Sequence, residues 1–411
     1  MGYSQFSTRA SNISSITSSI MMRKIERGDP QGFDIDLSKN DNCLLREELA
    51  VNCKPTINDE LHPHHSYARG IAREPTLQGS LANLFNNYFN PCVPVNPHHI
   101  TIGPRTKSCI DALLYEICDP EDGVLVPGPC WNGDEVDFRD RSSVQPVFVK
   151  TEKFTDIFTT KLIPKMEEAM DNATCRIKAL ILTNPHSLFG QCYTQEVLEA
   201  CLKFCQRRDI HLIADEVYAM TTFSSAEISD PAPFISALSL DASALRCDRS
   251  RIHTIWGTSK TFGSSECRMD NGEANFRPTA ASNTQLSLLS ALSATSLLSS
   301  PTLPLLVALS SARLAESYIL VTTFFIRHHI DYIPVNAGLN IFARLAPSAK
   351  TWEDESAIIT KLKAKGVVVQ GGGSYHGTFK EKGWVRISFA REEHLLQDAL
   401  HRIIAALDFE S

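Results

Sequence analysis

The chain lacks several features that would have narrowed its role at once. Its 411 residues carry 40 Lys and Arg against 47 Asp and Glu, a formal net charge of −7. With no basic surplus, no field for nucleic acid or anionic lipid is implied. No run of 18 apolar residues occurs, so no membrane span is expected. Histidines gather at His62, His64 and His65, and again at His98 and His99. Neither group has an acidic or Cys partner at zinc-ligand spacing, so no metal is expected. The first 24 residues contain no acid. They are Ser-rich and include Arg9, Arg23 and Lys24. A transit segment stays open there, beside a disordered or swapped N-terminal arm. Myristoylation does not fit, because Phe6 stands where Ser or Thr is needed.

What is present is ample for a large core. Hydrophobic residues make up 43% of the chain, and the length suggests two domains. The 12 Cys are scattered, and Cys109, Cys118, Cys201 and Cys205 fall inside apolar periodic segments. They read as reduced core thiols, which points to a reducing, cytoplasmic setting.

The stretch Ala179–Phe223 organises the rest. Ala179–Leu182 is short and apolar enough for a buried strand. Asn184-Pro185-His186-Ser187-Leu188-Phe189-Gly190 is rich in turn residues. Behind Thr194, an N-cap type, Val197, Leu198, Cys201, Leu202 and Cys205 recur at helical spacing. Ile210–Ala214 reads as a second buried strand, ending in Asp215-Glu216-Val217-Tyr218. Strand, helix and strand form a βαβ unit, which requires a parallel sheet. Ligands bind at the carboxyl ends of such strands, and Asn184, Asp215 and Tyr218 are all placed there.

Two more segments complete a pattern. His253–Gly263 reads HTIWGTSKTFG, with Arg268 eight residues after Lys260, and Gly383–Phe389 reads GWVRISF around Arg386. Together with the Asn-Pro loop and the Asp-Glu-Val-Tyr run, they resemble the fold type I, class I/II aminotransferases that use pyridoxal phosphate (PLP). The resemblance is strongest to the branch containing the 1-aminocyclopropane-1-carboxylate synthases and their fungal relatives. It runs from Asp36 to the C-terminus. It implies an α/β fold with an N-terminal arm over 1–45, a large PLP-binding domain over 46–305 and a smaller C-terminal α/β domain over 306–411. The large domain would have a mostly parallel sheet flanked by helices. Pro304–Ile326 reads as a long helix bridging the two domains.

The resemblance also implies roles. Lys260 would hold PLP as a Schiff base and, once displaced by the substrate amine, move the α-proton. Asp215 would keep the pyridine nitrogen protonated, so that the ring serves as an electron sink. Tyr218 would donate to the ring's 3′-oxygen, with Asn184 and Ser187 beside it. Trp131 would stack on the ring. Arg268 and Ser259 would hold the phosphate. The turn Gly103-Pro104-Arg105-Thr106 opens a helix over Lys107–Ile117, and Arg105 and Thr106 would add charge and hydroxyl to that cradle. Arg386 would take the substrate carboxylate as a bidentate pair. Asp41 stands where the synthases carry Glu, and Tyr67 where the family reaches toward a neighbouring subunit. A homodimer acting on a small amino acid substrate is therefore expected.

The chain departs from the family at four places. Pro104 removes a backbone donor. Ser187 replaces an Asn, Gly257 replaces a Ser, and in the 268–283 segment the usual apolar strand is short, distorted or missing. Three readings stay open. The first is an aminotransferase acting on an amino acid or a secondary metabolite derived from one. The second is a carbon–sulfur lyase that eliminates a β-leaving group. The third is a non-catalytic relative. Cyclopropane synthesis itself is disfavoured by Asp41. Gly371-Gly372-Gly373 reads as a flexible turn rather than a phosphate loop.

Overall fold

The structure, a computed structural model, describes residues 34–51, 75–139, 141–263, 270–273, 288–376 and 382–407. Among the described residues the first element is a short strand, β1 (Ile35–Asp36), and the large domain follows. Its sheet contains β2 (Ile100–Gly103), β3 (Gly123–Pro127), β5 (Gln145–Val149), β6 (Ile177–Thr183), β7 (His211–Asp215), β8 (Ile252–Gly257) and β9 (Asp270–Glu273). The spatial order is β2-β9-β8-β7-β6-β3-β5. The five strands from β8 to β5 are parallel, and β9 runs antiparallel to both its neighbours.

Strand β3 is buried along its whole length, because helices cover both faces of the sheet. One covering helix, Gln195–Arg208, shows why the local sequence folds as it does. The Thr194 hydroxyl accepts from the Val197 amide at its start, and Asp209 ends it in the left-handed conformation. Glu196 in the first turn and Arg207 and Arg208 in the last complement the helix dipole. Cys201 and Cys205 lie fully inside its apolar face, as free thiols. Burial pushes the Cys201 thiol up to about 12.

Of the three outcomes open for the strand after Arg268, the structure shows the short one, β9. Its run Asp-Asn-Gly-Glu carries no apolar signal. An antiparallel strand inserted between two existing partners is held by its backbone ladder, so four residues suffice.

The small domain contains β10 (Asp331–Ile333), β11 (Asn340–Arg344), β13 (Gln370–Gly371) and β15 (Trp384–Ser388), ordered β10-β11-β15-β13. Helices Trp352–Ala364 and Glu393–Leu407 pack against it. Two small pairings join the parts. β1 runs parallel to β12 (Val367–Val368), and β4 (Cys130–Trp131) of the large domain pairs with β14 (Tyr375–His376).

The described part of the 1–45 arm packs on the small domain, where Ile35 pairs with Val367 and Leu37 lies in the core. The boundary at 305/306 falls inside the continuous helix Leu303–Arg327. That helix is long and apolar enough to cross a membrane by length and composition, although no unbroken apolar run announced it. Here Leu303 and Leu306 join the large-domain core, while Leu314, Val321 and Phe325 join that of the small domain. Finally, the Gly371–Gly373 turn is pinned. The buried Glu355 carboxylate accepts from the amides of Gly373 (2.9 Å) and Gly383 (3.0 Å).

Candidate active site

Parallel strands leave their carbonyl ends open, and the chain builds its polar groups there. A cavity at this edge is lined by Thr183, His186, Ser187 and Asp215 from the ends of β6 and β7. Lys107 and Asp111, on the helix Thr106–Ile117, line it from the side. Asp215 alternates with its neighbour. Glu216 turns away and is buried, taking the Ser236 hydroxyl (2.6 Å) and the Ala237 amide (2.7 Å).

The Asn-Pro loop is shaped from within. His186 is stacked on Phe189 with ring centroids 4.9 Å apart. Its Nδ1 accepts from the amides of Leu188 (3.3 Å) and Phe189 (3.2 Å), which places the ring proton on Nε2. Burial lowers its pKa to about 3, so the ring stays neutral. Asn184 is also used in the wall. Its amide donates to the Ile235 carbonyl (2.9 Å) and accepts from the Tyr193 amide (3.1 Å). The structure therefore gives Asn184 a bracing position, while Ser187 lines the cavity.

A second set of groups converges on the segment Ser38–Asn40. The Lys260 ammonium donates to the Asn40 carbonyl at 2.6 Å. The Asn40 side-chain amide donates to the Tyr218 hydroxyl and accepts from the Asn340 amide at 3.0 Å. The Arg386 guanidinium donates to the Ser38 carbonyl. Tyr218 is buried, and desolvation raises its pKa, against a smaller lowering by the nearby Arg386 charge. Its hydroxyl keeps its proton.

Asn40, one residue before Asp41, supplies both its side chain and its carbonyl to this set. Asp41 contributes its main-chain carbonyl to Arg391 (3.1 Å). Arg391 is buried and also donates to the Asp36 carbonyl (3.2 Å), the Lys39 carbonyl (2.9 Å) and the Cys43 sulfur (2.6 Å). This guanidinium holds the strap in place. Sequence reasoning missed Asn40, Asn340, Arg391 and Lys107. An Arg just past an apolar strand looks like a surface charge, and Asn40 sits one residue from the position that matched the synthases.

The remaining expected residues that are described are at least partly exposed. Trp131 is 38% exposed, with the Lys107 ammonium 4.3 Å from its ring centroid. Arg105 is exposed at the N-cap of the helix and makes no side-chain capping bond, while Thr106 and Ser259 are half-buried. Arg268 and Tyr67 lie outside the described residues, as do His62, His64 and His65.

A large parallel sheet, a small antiparallel one and a polar cleft at the strands' carboxyl ends define a fold type I transferase, a class that works with PLP. The residues present fit that cofactor. Asp215 and Lys107 offer a carboxylate and an ammonium to one cavity, complementary to a ring nitrogen and a phosphate. The profile of the aminotransferase class I and II family matches residues 34–403, and the chain belongs to that family. It is 44% identical to a probable aminotransferase, aclI, of Aspergillus oryzae, over 97% of this chain and 96% of that one. It is 32% identical to a probable aminotransferase, gliI, of Aspergillus fumigatus, over 95% and 93%. Among solved structures, the aspartate aminotransferase from Thermus thermophilus with maleate superposes with a TM-score of 0.76 at 18% identity, covering 98% of this chain and 99% of that one.

Proposed function

We propose that the chain transfers an amino group from an amino acid, or an amino-acid-derived metabolite, with PLP held on Lys260. The observation that carries this reading is the convergence of Lys260, Tyr218 and Arg386 on Ser38–Asn40, beside the cavity lined by Asp215 and Ser187.

Each group has a task that its surroundings allow. Asp215 would hold a proton on the pyridine nitrogen. Tyr218, kept protonated by burial, would donate from its hydroxyl to the ring oxygen. Lys107 and the first turn of the helix Thr106–Ile117 would receive the phosphate, in the place where Gly257 and Pro104 offer less than the family does. Bound PLP supplies the electron sink for the reaction. Lys260 Nζ would carry the α-proton. Arg386 already binds one carbonyl oxygen, and a carboxylate offers it two oxygens and a full charge. A homodimer in the cytoplasm belongs to the same reading, with Tyr67 reaching across to the neighbouring subunit.

A screen of amine substrates on PLP-loaded protein, reading keto-acid and thiol release together, tests the reaction. Keto acid without thiol supports transamination. Thiol release would reassign the chain as a carbon–sulfur lyase, and neither product, from any amine, would count against both.

A further inference from the structure

Strands β11 and β15 pair antiparallel, with Asn340 opposite Ser388 and Phe342 opposite Arg386. Successive residues alternate faces, so Asn340 and Arg386 share one face as diagonal neighbours. Asn340 is 1% exposed. Its Nδ2 donates to Asn40, whose own amide reaches Tyr218 and whose carbonyl holds Lys260. The other end of its amide, Oδ1, is buried with no hydrogen-bond partner among the described residues. Nε of Arg386, on the same face, is also buried without one. A buried amide oxygen without a donor is costly unless a ligand completes it.

We propose that Asn340, braced by Asn40, reads the substrate side chain, and selects one that ends in an N–H donor, as an amide does. This rests on the reading of Arg386 as the carboxylate site. A ligand gripped there places its side chain toward the neighbouring strand, where Asn340 Oδ1 awaits a donor. An apolar side chain leaves that oxygen unpaired. A carboxylate sets negative oxygen against it. Sites built to hydrogen-bond one group reject analogues that lack it far more strongly than apolar pockets discriminate by size.

The test is binding rather than turnover. Glutamine, methionine and glutamate are titrated into PLP-loaded protein, and dissociation constants are read from the cofactor's absorbance. Glutamine should bind about tenfold more tightly than either analogue, the usual effect of one unmet buried acceptor. Compared at matched PLP content, Asn340→Leu should bring the three within about twofold of one another. Methionine or glutamate binding as well as glutamine in the native protein overturns the proposal, even if the variant does not fold. So does an unchanged preference in Asn340→Leu, or no binding by any of the three. Keto-acid release is scored separately. Tight, selective binding of glutamine without keto acid would sink transamination and leave this inference standing.

Discussion

Replacing Arg391 by Met should free the Ser38–Asn40 strap without unfolding the protein. Met keeps most of the apolar stem and removes the guanidinium. Three bonds to main-chain carbonyls are lost, at 2.9, 3.1 and 3.2 Å, together with the contact to Cys43. Bonds from a charged donor contribute about 1.5–3 kcal/mol each, so the gross loss from three is roughly 4.5–9 kcal/mol. Released carbonyls regain water, which leaves a net effect on strap opening of about 3–5 kcal/mol. Leu37 and Leu45 stay buried, and β1 keeps its pairing with β12, so the opening should be local. Hydrogen exchange read by mass spectrometry would show it. Amides over 38–43 should exchange about two to three and a half decades faster (~1.4 kcal/mol per decade), with the helix Gln195–Arg208 unchanged as the internal control. Arg391→Lys should fall between, because an ammonium cannot span three acceptors as a guanidinium fork does. Unchanged exchange over 38–43, or faster exchange spread evenly through the chain, would refute the strap argument.

Other outcomes follow from the same geometry. Asp215→Ala should abolish most turnover at saturating PLP, while Ser187→Ala should cost no more than one neutral hydrogen bond, about 0.5–1.5 kcal/mol in steady-state kinetics. Gly263→Ala should destabilise by more than about 2 kcal/mol in urea unfolding, because the position has φ +65° and a Cβ there would run into the Asn42 carbonyl oxygen. His186 and His253 are both held to about 3 by burial, below the ordinary value of 6.5. The unfolded chain therefore takes up protons that these rings refuse. Stability should be intact above about pH 6.5 and fall as pH drops toward 3, by about 2 kcal/mol per ring at pH 5. Urea midpoints at pH 7.5 and 5 would measure this, and His186→Asn should shrink the difference.

Much of the frame was legible in the sequence because local signals agreed with the fold. The Thr194 cap, the apolar runs that became β6 and β7, and the order of Asp215, Lys260 and Arg386 carried the class and pointed to the candidate site. What was not legible depends on residues far apart in sequence. Asn40 meets Lys260, Tyr218 and Asn340 through contacts spanning 220, 178 and 300 positions. No periodicity marks such pairings. The polar strand β9 and the pinned glycine turn were hidden for the same reason, since sheet partners and the Glu355 carboxylate fix them rather than their own composition. Asn184 carried the motif but braces the wall, which only its bonds to Ile235 and Tyr193 reveal.

The central claim is that Lys260 carries PLP. Purified protein incubated with PLP, reduced with borohydride and digested should yield one phosphopyridoxyl-labelled peptide, containing Lys260. Lys260→Ala should give no labelled peptide. A label on Lys107 or any other lysine in the native protein, or undiminished labelling of Lys260→Ala, would contradict the account.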